Sequence, residues 1–291
     1  MPKKSMPSAT TGLSATAAPT GSTGLSATTG SPAAPAIPLI LLTNDDGFFA
    51  EGIQALFRAL KGLGRLFIVA PDREKSASSL ALSLHQPLRV QRIRPGVFAV
   101  DGTPADGIYL ALKKLLPRKP DLIVSGMNPG PNLGQQDIAY SGTVAAAVQG
   151  TFFGVPSAAF SLIADADGDF HYRESAAFVR EIVKRLLRRG LPAGVTLNVN
   201  IPPPPVKGLR VTSVGLKIYE PDIIEQKDPR GNSYYWLGRG NPKVEGGPAS
   251  DVKTVLRGYI SVTPIHNDPT DRASAGIPLL KELVAALSPR A

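Results

Sequence analysis

From about residue 37 onward, short apolar runs alternate with amphipathic stretches, and this alternation predicts a sheet built from strand–helix–strand units. Leu39, Ile40, Leu41 and Leu42 form an apolar run of strand length ending at Thr43. Over 52–61, Ile53, Leu56, Phe57 and Leu60 recur at i, i+3, i+4 and i+7, which is one face of a helix. Residues 65–70 read as the second strand, stopped by Pro71, and further strands are predicted over 84–90 and 97–100. Thr103-Pro104 opens a helix running to Leu115, with proline at the favoured first position. A buried strand at 122–125, an Ala-rich helix at 142–149 and a strand at 155–160 come next. An amphipathic helix over 173–189 and a strand over 195–201 ending in four prolines complete the pattern. The prediction is an α/β fold: a doubly wound, Rossmann-like, mostly parallel sheet over 37–208.

The character changes beyond 208. Segments 210–218, 233–237 and 259–263 are strand-like and separated by Pro- and Gly-rich turns, and 277–287 reads as a closing helix. An exposed hairpin arm carrying Tyr234, Tyr235 and Trp236 is most naturally covered by another subunit. Residues 209–291 are therefore expected to form a hairpin and helix extension used in oligomerisation. Residues 1–36 are rich in Ala, Ser, Thr, Gly and Pro, carry no acid, and repeat Gly-Leu-Ser-Ala-Thr at 12–16 and 24–28. Such a composition buries too little apolar surface to offset ordering entropy, so a disordered low-complexity tail is expected. The tail has no arginine and no amphipathic period, unlike a transit peptide, and no compact apolar core of a secretion signal, so a cytoplasmic protein is expected. No apolar run approaches the ~20 residues of a membrane span, so no membrane partner is expected.

Composition narrows the chemistry. At 43% hydrophobic and 19% charged residues, the 291-residue chain has the balance of a globular protein with a real core. It has no cysteine and only His85, His171 and His266, so a thiolate or histidine-rich metal cage is excluded and a hard cation on oxygen ligands is favoured. The net charge of +9 suits an anionic partner. Its basic residues are scattered, as in Lys184-Arg185 and Arg188-Arg189, and no nucleic-acid module is present, which points to a solvated basic surface and small phosphorylated ligands.

Three turns succeed three strands of the predicted sheet: Asn44-Asp45-Asp46-Gly47, Pro71-Asp72-Arg73-Glu74-Lys75-Ser76, and Ser125-Gly126-Met127-Asn128-Pro129-Gly130. In a parallel sheet all three lie along one edge, where such folds bind ligands, so Asp45, Asp46, Ser76 and Asn128 can converge. Two carboxylates, a hydroxyl and an amide form an oxygen set suited to Mg²⁺ or Mn²⁺. A divalent cation between two carboxylates is near neutral, so a phosphate can approach, and a water activated by the metal can attack it. Next, Tyr140-Ser141-Gly142-Thr143 runs straight into a helix. Its backbone N–H groups with the Ser141 and Thr143 hydroxyls make either a phosphate cradle or an ordinary helix cap. Asp45-Asp46 has a plain turn reading too, and Asn128 and Ser76 have readings as turn former and cap. His266, close to Asp268 in a turn after a strand, is either a proton donor or a structural histidine. Trp236 and its neighbouring tyrosines suit packing better than substrate stacking.

At this point the residues resemble the SurE survival proteins, metal-dependent 5′/3′-nucleotidases. The matching stretches include Leu-Leu-Thr-Asn-Asp-Asp-Gly at 41–47, Val-Ala-Pro-Asp-Arg-Glu-Lys-Ser at 69–76 and Gly-Thr-Pro-Ala-Asp at 102–106. Asp-Leu-Ile-Val-Ser-Gly-Met-Asn-Pro-Gly-Pro-Asn-Leu-Gly at 121–134 and Tyr-Ser-Gly-Thr-Val-Ala-Ala-Ala at 140–147 continue the match. Leu-Asn-Val-Asn-Ile-Pro at 197–202, Asp-Pro-Arg-Gly-Asn at 228–232 and Gly-Tyr-Ile-Ser-Val-Thr-Pro-Ile-His at 258–266 complete it, in order.

The resemblance implies one divalent cation per subunit on Asp45, Asp46, Ser76 and Asn128. It also implies phosphate contacts from Ser141, Gly142 and Thr143, with Asn44 and Asn128 nearby. Asp45, Asn44 and His266 are the candidate catalytic residues, Asp45 as base, nucleophile or ligand. The implied activity is hydrolysis of nucleoside monophosphates, with 3′-nucleotidase and short-polyphosphate activities beside it. The implied assembly is a homodimer or homotetramer with exchanged C-terminal elements. The chain departs from the pattern in a 134–140 loop one residue longer than usual, in Gly107 where cysteine is common, and in Ala77 where glycine is frequent. The longer loop is expected to alter the rim of the site and its substrate preference.

Rival readings fit less well. A receiver-like phosphorylation or nucleotide-binding module also carries paired acids after its first strand. It would need a phosphoacceptor Asp where Ser125 stands. A haloacid-dehalogenase-type enzyme would carry Asp-x-Asp after that strand, whereas Asn44-Asp45-Asp46 stands there. A dinucleotide-binding oxidoreductase would show a glycine fingerprint in this turn.

Overall fold

Leu39 and Leu41 face one side of a sheet and Ile40 and Leu42 the other, and all four are buried, which is why the run shows no polar alternation. A computed structural model describes residues 37–220, 222–238, 240–271, 277–279 and 282. The first elements are β1 (Leu39–Thr43), α1 (Glu51–Leu60), β2 (Arg65–Pro71), β3 (Val90–Arg94) and β4 (Val97–Val100). They are succeeded by α2 (Pro104–Leu110), β5 (Leu122–Pro129), α3 (Gly134–Tyr140), α4 (Gly142–Phe152), β6 (Ser157–Leu162), α5 (Tyr172–Arg189) and β7 (Val195–Ile201). The remainder comprises β8 (Leu209–Val211), β9 (Leu216–Ile218), β10 (Ile223–Lys227), β11 (Ser233–Leu237), β12 (Lys243–Glu245), α6 (Asp251–Leu256) and β13 (Ile260–His266).

Nine strands form one sheet in the order β3-β4-β2-β1-β5-β6-β7-β13-β8. β4, β2, β1, β5, β6 and β7 are parallel, whereas β3 and β13 run antiparallel to their neighbours β4 and β7. The doubly wound, mostly parallel architecture expected from the sequence is therefore present. The chain moves outward from β1 to β2 and β4, then returns to place β5 on the other side of β1. The switch point, where this fold class opens a crevice, lies between β1 and β5.

One face packs Ile40, Leu42 and Ile68 against Ile53, Leu56 and Leu60 of α1 and Val179 and Val183 of α5. The other packs Leu39, Leu41 and Val69 against Ile108 of α2 and Ala146 of α4. α2 starts on a capping box: the Thr103 hydroxyl accepts from the Asp106 N–H, and the Asp106 carboxylate accepts from the Thr103 N–H. α1 lies so close to β5 that a Cβ on Gly52 would sit 1.9 Å from the Met127 carbonyl oxygen. Because that neighbour is backbone, Gly52→Ala is expected to destabilise the fold by about 1–3 kcal/mol through overpacking. Urea unfolding checks this, and an unchanged midpoint would count against so tight an α1–β5 contact.

Several predicted elements differ. The strand expected over 84–90 is displaced to β3, because Pro87 removes a ladder donor and the turn at Pro95-Gly96 pairs 90–94 with β4 instead. The 210–218 segment divides into β8 and β9 around a turn, and β13 runs on to His266. α3, α6, β10 and β12 had no counterpart in the periodicity. The β10–β11 hairpin leaves Ile223, Ile224, Tyr235, Trp236 and Leu237 exposed. The expected tail over 1–36 and most of the closing helix over 277–287 lie outside the described residues. Among the described residues no helix is long and apolar enough to cross a membrane.

Candidate active site at the carboxyl edge of the sheet

Where β1 ends, the chain turns over Asn44-Asp45-Asp46-Gly47, beside the end of β5 at the switch point. Asn44 is fully buried and its Nδ2 donates to the Gly47 carbonyl at 2.9 Å, which closes the turn. Gly47 adopts φ +100°, the left-handed region that favours glycine. The second turn is tied to the first by a 2.8 Å bond from the Lys75 N–H to the Asp45 carbonyl. It delivers Ser76, whose hydroxyl donates to Glu74 at 2.7 Å.

The third turn leaves β5 after a register irregularity between Gly126 and Asn128, a bulge that re-aims the next side chain. Asn128 donates its Nδ2 to the Gly130 carbonyl at 2.8 Å, leaving its amide oxygen as the atom suited to a cation. Behind it, buried Asn132 anchors the loop. Its N–H donates to Asn200 at 2.8 Å, its Nδ2 to Ser161 at 2.7 Å, and its carbonyl accepts from Asn198 and Asn200.

Asp45, Asp46, Ser76, Asn128 and Ser141 line one open cleft of about 360 Å³. α4 begins at its edge. The Ser141 hydroxyl accepts from the Val144 N–H at 3.0 Å, so Ser141 is the helix cap as well as a lining residue. Thr143 is fully buried and donates its hydroxyl to Asp45 Oδ1. A Cβ on Gly142 would fall 2.7 Å from the Asp45 Cβ. Gly142 and Thr143 therefore lie against Asp45, and the glycine is what permits that approach.

The acid pair is electrostatically uncomfortable on its own. Burial pushes the Asp45 carboxyl above the ordinary range, partly opposed by the Thr143 hydroxyl, with Glu74 adding repulsion. Burial, then Asp45, then Glu74 push Asp46 up from 3.8 to about 7. No ion pair among the described residues includes either acid. Nor do three or more His, Cys, Asp or Glu side chains among those residues cluster as metal ligands. Any cation here would rest on two carboxylates completed by neutral oxygens, and the buried Asn44 Oδ1, which has no hydrogen-bond partner, adds a further acceptor.

His266 stands apart. It pairs with Val195 at the start of β7, which places it on the opposite edge of the sheet, and its Nδ1 accepts from the Asp268 N–H at 3.0 Å. β13 runs antiparallel, so its carboxyl end lies at the amino edge of the parallel strands, which the sequence motif alone did not show. Within this chain His266 is not brought to the acids.

The cleft also has a wall that sequence reasoning missed. Asp137 on α3 accepts from Lys217 on β9 at 2.6 Å, and both side chains are nearly buried. The Tyr219 N–H donates to Gln136 Oε1 at 2.6 Å, and Asp137, Tyr140 and Tyr219 line the cleft. Fully buried Asp251 accepts from the Gly134 and Gly215 N–H groups at 2.9 and 2.8 Å, joining the same two loops. Asp137 and Lys217 are 80 residues apart, and no local pattern links them. Only Glu74, within an already recognised turn, was in view.

Known proteins are similar to this chain. The sequence model of the family described as "Survival protein SurE" matches residues 40–221. A protein from Geobacter sulfurreducens named 5′-nucleotidase SurE is 48% identical over 241 residues, covering 82% of this chain and 91% of its own length. One of the same name from Myxococcus xanthus is 50% identical over 235 residues, covering 80% and 88%. The crystal structure of the SurE protein from Aquifex aeolicus matches with a TM-score of 0.73 at 39% identity, over 86% of this chain and 100% of that one. With the switch-point acids, the bulged asparagine turn and the capped α4 in one frame, the chain belongs to the SurE survival-protein family.

Proposed function

We propose that this chain is a divalent-metal-dependent 5′-nucleotidase, a phosphomonoesterase that converts nucleoside monophosphates to nucleoside and phosphate. The observation that carries the reading is the pair of adjacent acids at the switch point, Asp45 buried and Asp46 partly buried, facing one cleft with the start of α4 against Asp45. Two similar proteins bear the name 5′-nucleotidase, in keeping with it.

The residues fit a hard cation. Two adjacent carboxylates whose ionisation burial opposes, together with the Asn128 amide oxygen and the Ser76 hydroxyl, form a donor set of charge −2 that needs a divalent counter-charge. Mg²⁺ or Mn²⁺, one per subunit, would be held by Asp45, Asp46, Ser76 and Asn128. When bound, such an ion offsets charge on the phosphoryl oxygens and makes water a better nucleophile at neutral pH.

The chain's own groups supply the rest. The first-turn N–H groups of α4 and the dipole of that helix favour a phosphate beside Ser141, Gly142 and Thr143. Thr143 holds one Asp45 oxygen, so that carboxylate keeps a fixed orientation against the start of α4. Asn44, locked on Gly47, keeps the turn closed, and the Asn132 network holds the Asn128 loop in place. The exposed aromatic and aliphatic side chains of the β10–β11 arm suit burial by a second subunit, supporting a homodimer or homotetramer with exchanged C-terminal elements. A cytoplasmic setting accords with this substrate class.

Phosphate release from a panel of nucleoside 5′-monophosphates tests the reading. Release is expected with Mn²⁺ or Mg²⁺ and should fall to background after chelation, returning when metal is restored. Absence of metal-dependent release from every member of the panel would overturn it.

A further inference from the structure

The far end of the sheet carries a second cavity, opposite in its chemistry to the acid-lined cleft. It opens beside β8, four strands from β5 in the sheet order and therefore about 19 Å away from that strand. Its volume is about 460 Å³, and Arg210, Pro248, Thr254, Arg257 and Tyr259 line it, with no carboxylate in the lining among the described residues. The Arg210 guanidinium, on β8, lies 4.5 Å from the centroid of the Tyr259 ring, just ahead of β13. Arg257, the C-cap of α6, donates from Nη1 to the Pro248 carbonyl at 3.1 Å. A cation at that helix end complements the dipole. The dipole does not require the guanidinium to reach back past the Ser250 N-cap to Pro248, as this one does. Both guanidiniums are thus positioned by neutral groups, and neither is in an ion pair among the described residues.

We propose that this cavity is a second oxyanion site, in which Arg210 and Arg257 bind the phosphate dianion of a small phosphorylated molecule. The site needs neither the acid pair nor a cation, so it stands apart from the phosphatase reading. A guanidinium stays charged and carries five N–H donors in a planar fork that matches two phosphate oxygens at once. Arg257 uses one donor on Pro248, so most of its fork is free, and the Tyr259 contact steadies Arg210 without lowering its charge. Two uncompensated positive charges match one phosphate dianion, whereas a single carboxylate would balance only half of them. The volume falls among pockets for metabolite-sized ligands, so a phosphate ester fits as well as the free ion. The site also stands on a fixed element. Buried Asp251, in the first turn of α6, accepts from the Gly134 and Gly215 N–H groups and holds that helix from its other end.

Isothermal titration calorimetry on the full chain, stripped of metal on a chelating resin, tests the site with two probes, inorganic phosphate and ribose 5-phosphate. Without a cation the two cleft acids repel a phosphate, so the arginine cavity is where it should bind, one anion per chain. Arg210→Gln and Arg257→Gln are each expected to weaken binding about ten- to a hundred-fold, the scale of lost hydrogen bonds to a charged group. Affinity should also fall as NaCl is raised. Arg210 is exposed on an edge strand, so Arg210→Gln with unchanged thermal unfolding separates lost binding from a lost fold. Tighter binding of the ester identifies a phosphorylated metabolite as the source, and tighter binding of the free ion identifies phosphate itself; both carry the group proposed. Binding unaltered in both variants, or no binding of either probe at millimolar concentration, overturns the site. Absence of Mn²⁺-dependent phosphate release from the wild type would sink the phosphatase reading and leave this site standing.

Discussion

Asp45→Asn is expected to lower metal-dependent phosphate release by about 10²–10³-fold, the scale seen when one preorganised electrostatic group is removed from a reacting site. The side chain keeps its shape, and the Thr143 hydroxyl can still donate to the remaining amide oxygen, so the geometry of α4 against the turn is preserved. What is lost is half of the charge that a divalent cation needs, at the carboxylate lying closest to Gly142 and the start of the helix. Because burial already opposes ionisation of Asp45, the neutral amide should leave metal-free thermal stability equal or higher. That combination, activity lost and fold retained, separates a functional acid from a structural turn former. Undiminished release, or a loss explained wholly by unfolding, would refute the role given to Asp45. Asn128→Ala is a useful companion, since it removes a neutral donor and leaves the charge of the site unchanged.

The parts of this site that were legible in the sequence are those carried by strand ends. A buried parallel strand announces itself as an apolar run, and the turn at its carboxyl end falls on one edge of the sheet by topology alone. Asp45, Asp46, Ser76 and Asn128 were found in this way, Ser141 from the small polar turn that enters a helix, and all five line the cleft. The resemblance to SurE proteins strengthened their selection. Contacts made across the chain were not legible. Lys217 and Asp251 carry no local signal of their contacts: Lys217 on β9 pairs with Asp137 of α3, and Asp251 accepts from the Gly134 and Gly215 N–H groups, each far away in the chain. His266 failed for a related reason, because strand direction decides which edge a motif reaches and no local pattern encodes an antiparallel β13. The helices α3 and α6 were missed because they are short, seven and six residues, too short for a 3.6-residue period to stand out. The exposed β3 escaped because it comes after a proline-interrupted loop and has no buried face to reveal its register.

The acid pair also sets a pH dependence that metal should reverse. Asp46 is raised from 3.8 to about 7 in the folded chain, so between those values the folded state binds more protons than the unfolded one. Stability of the metal-free protein should then fall as pH rises from about 4 to about 7, by an amount on the order of a few kcal/mol that is fully lost above that window. Asp45 shifts in the same direction and reinforces the trend, the two acids titrating as a pair. A bound divalent cation favours both carboxylates ionised, so saturating Mn²⁺ should raise Tm by several degrees at pH 7.5 and by much less at pH 5, where protons compete for the same oxygens. Differential scanning calorimetry at the two pH values, with chelator or with metal, measures both slopes. Asp46→Asn should flatten the metal-free slope, since the amide does not titrate, and should weaken the metal response. A metal-free Tm that rises between pH 5 and 7.5, or a metal response that is larger at pH 5, would show that the acids are neither repelling one another nor sharing a cation. With the expected signs, the two carboxylates that destabilise the metal-free fold are the ones that bind the added cation.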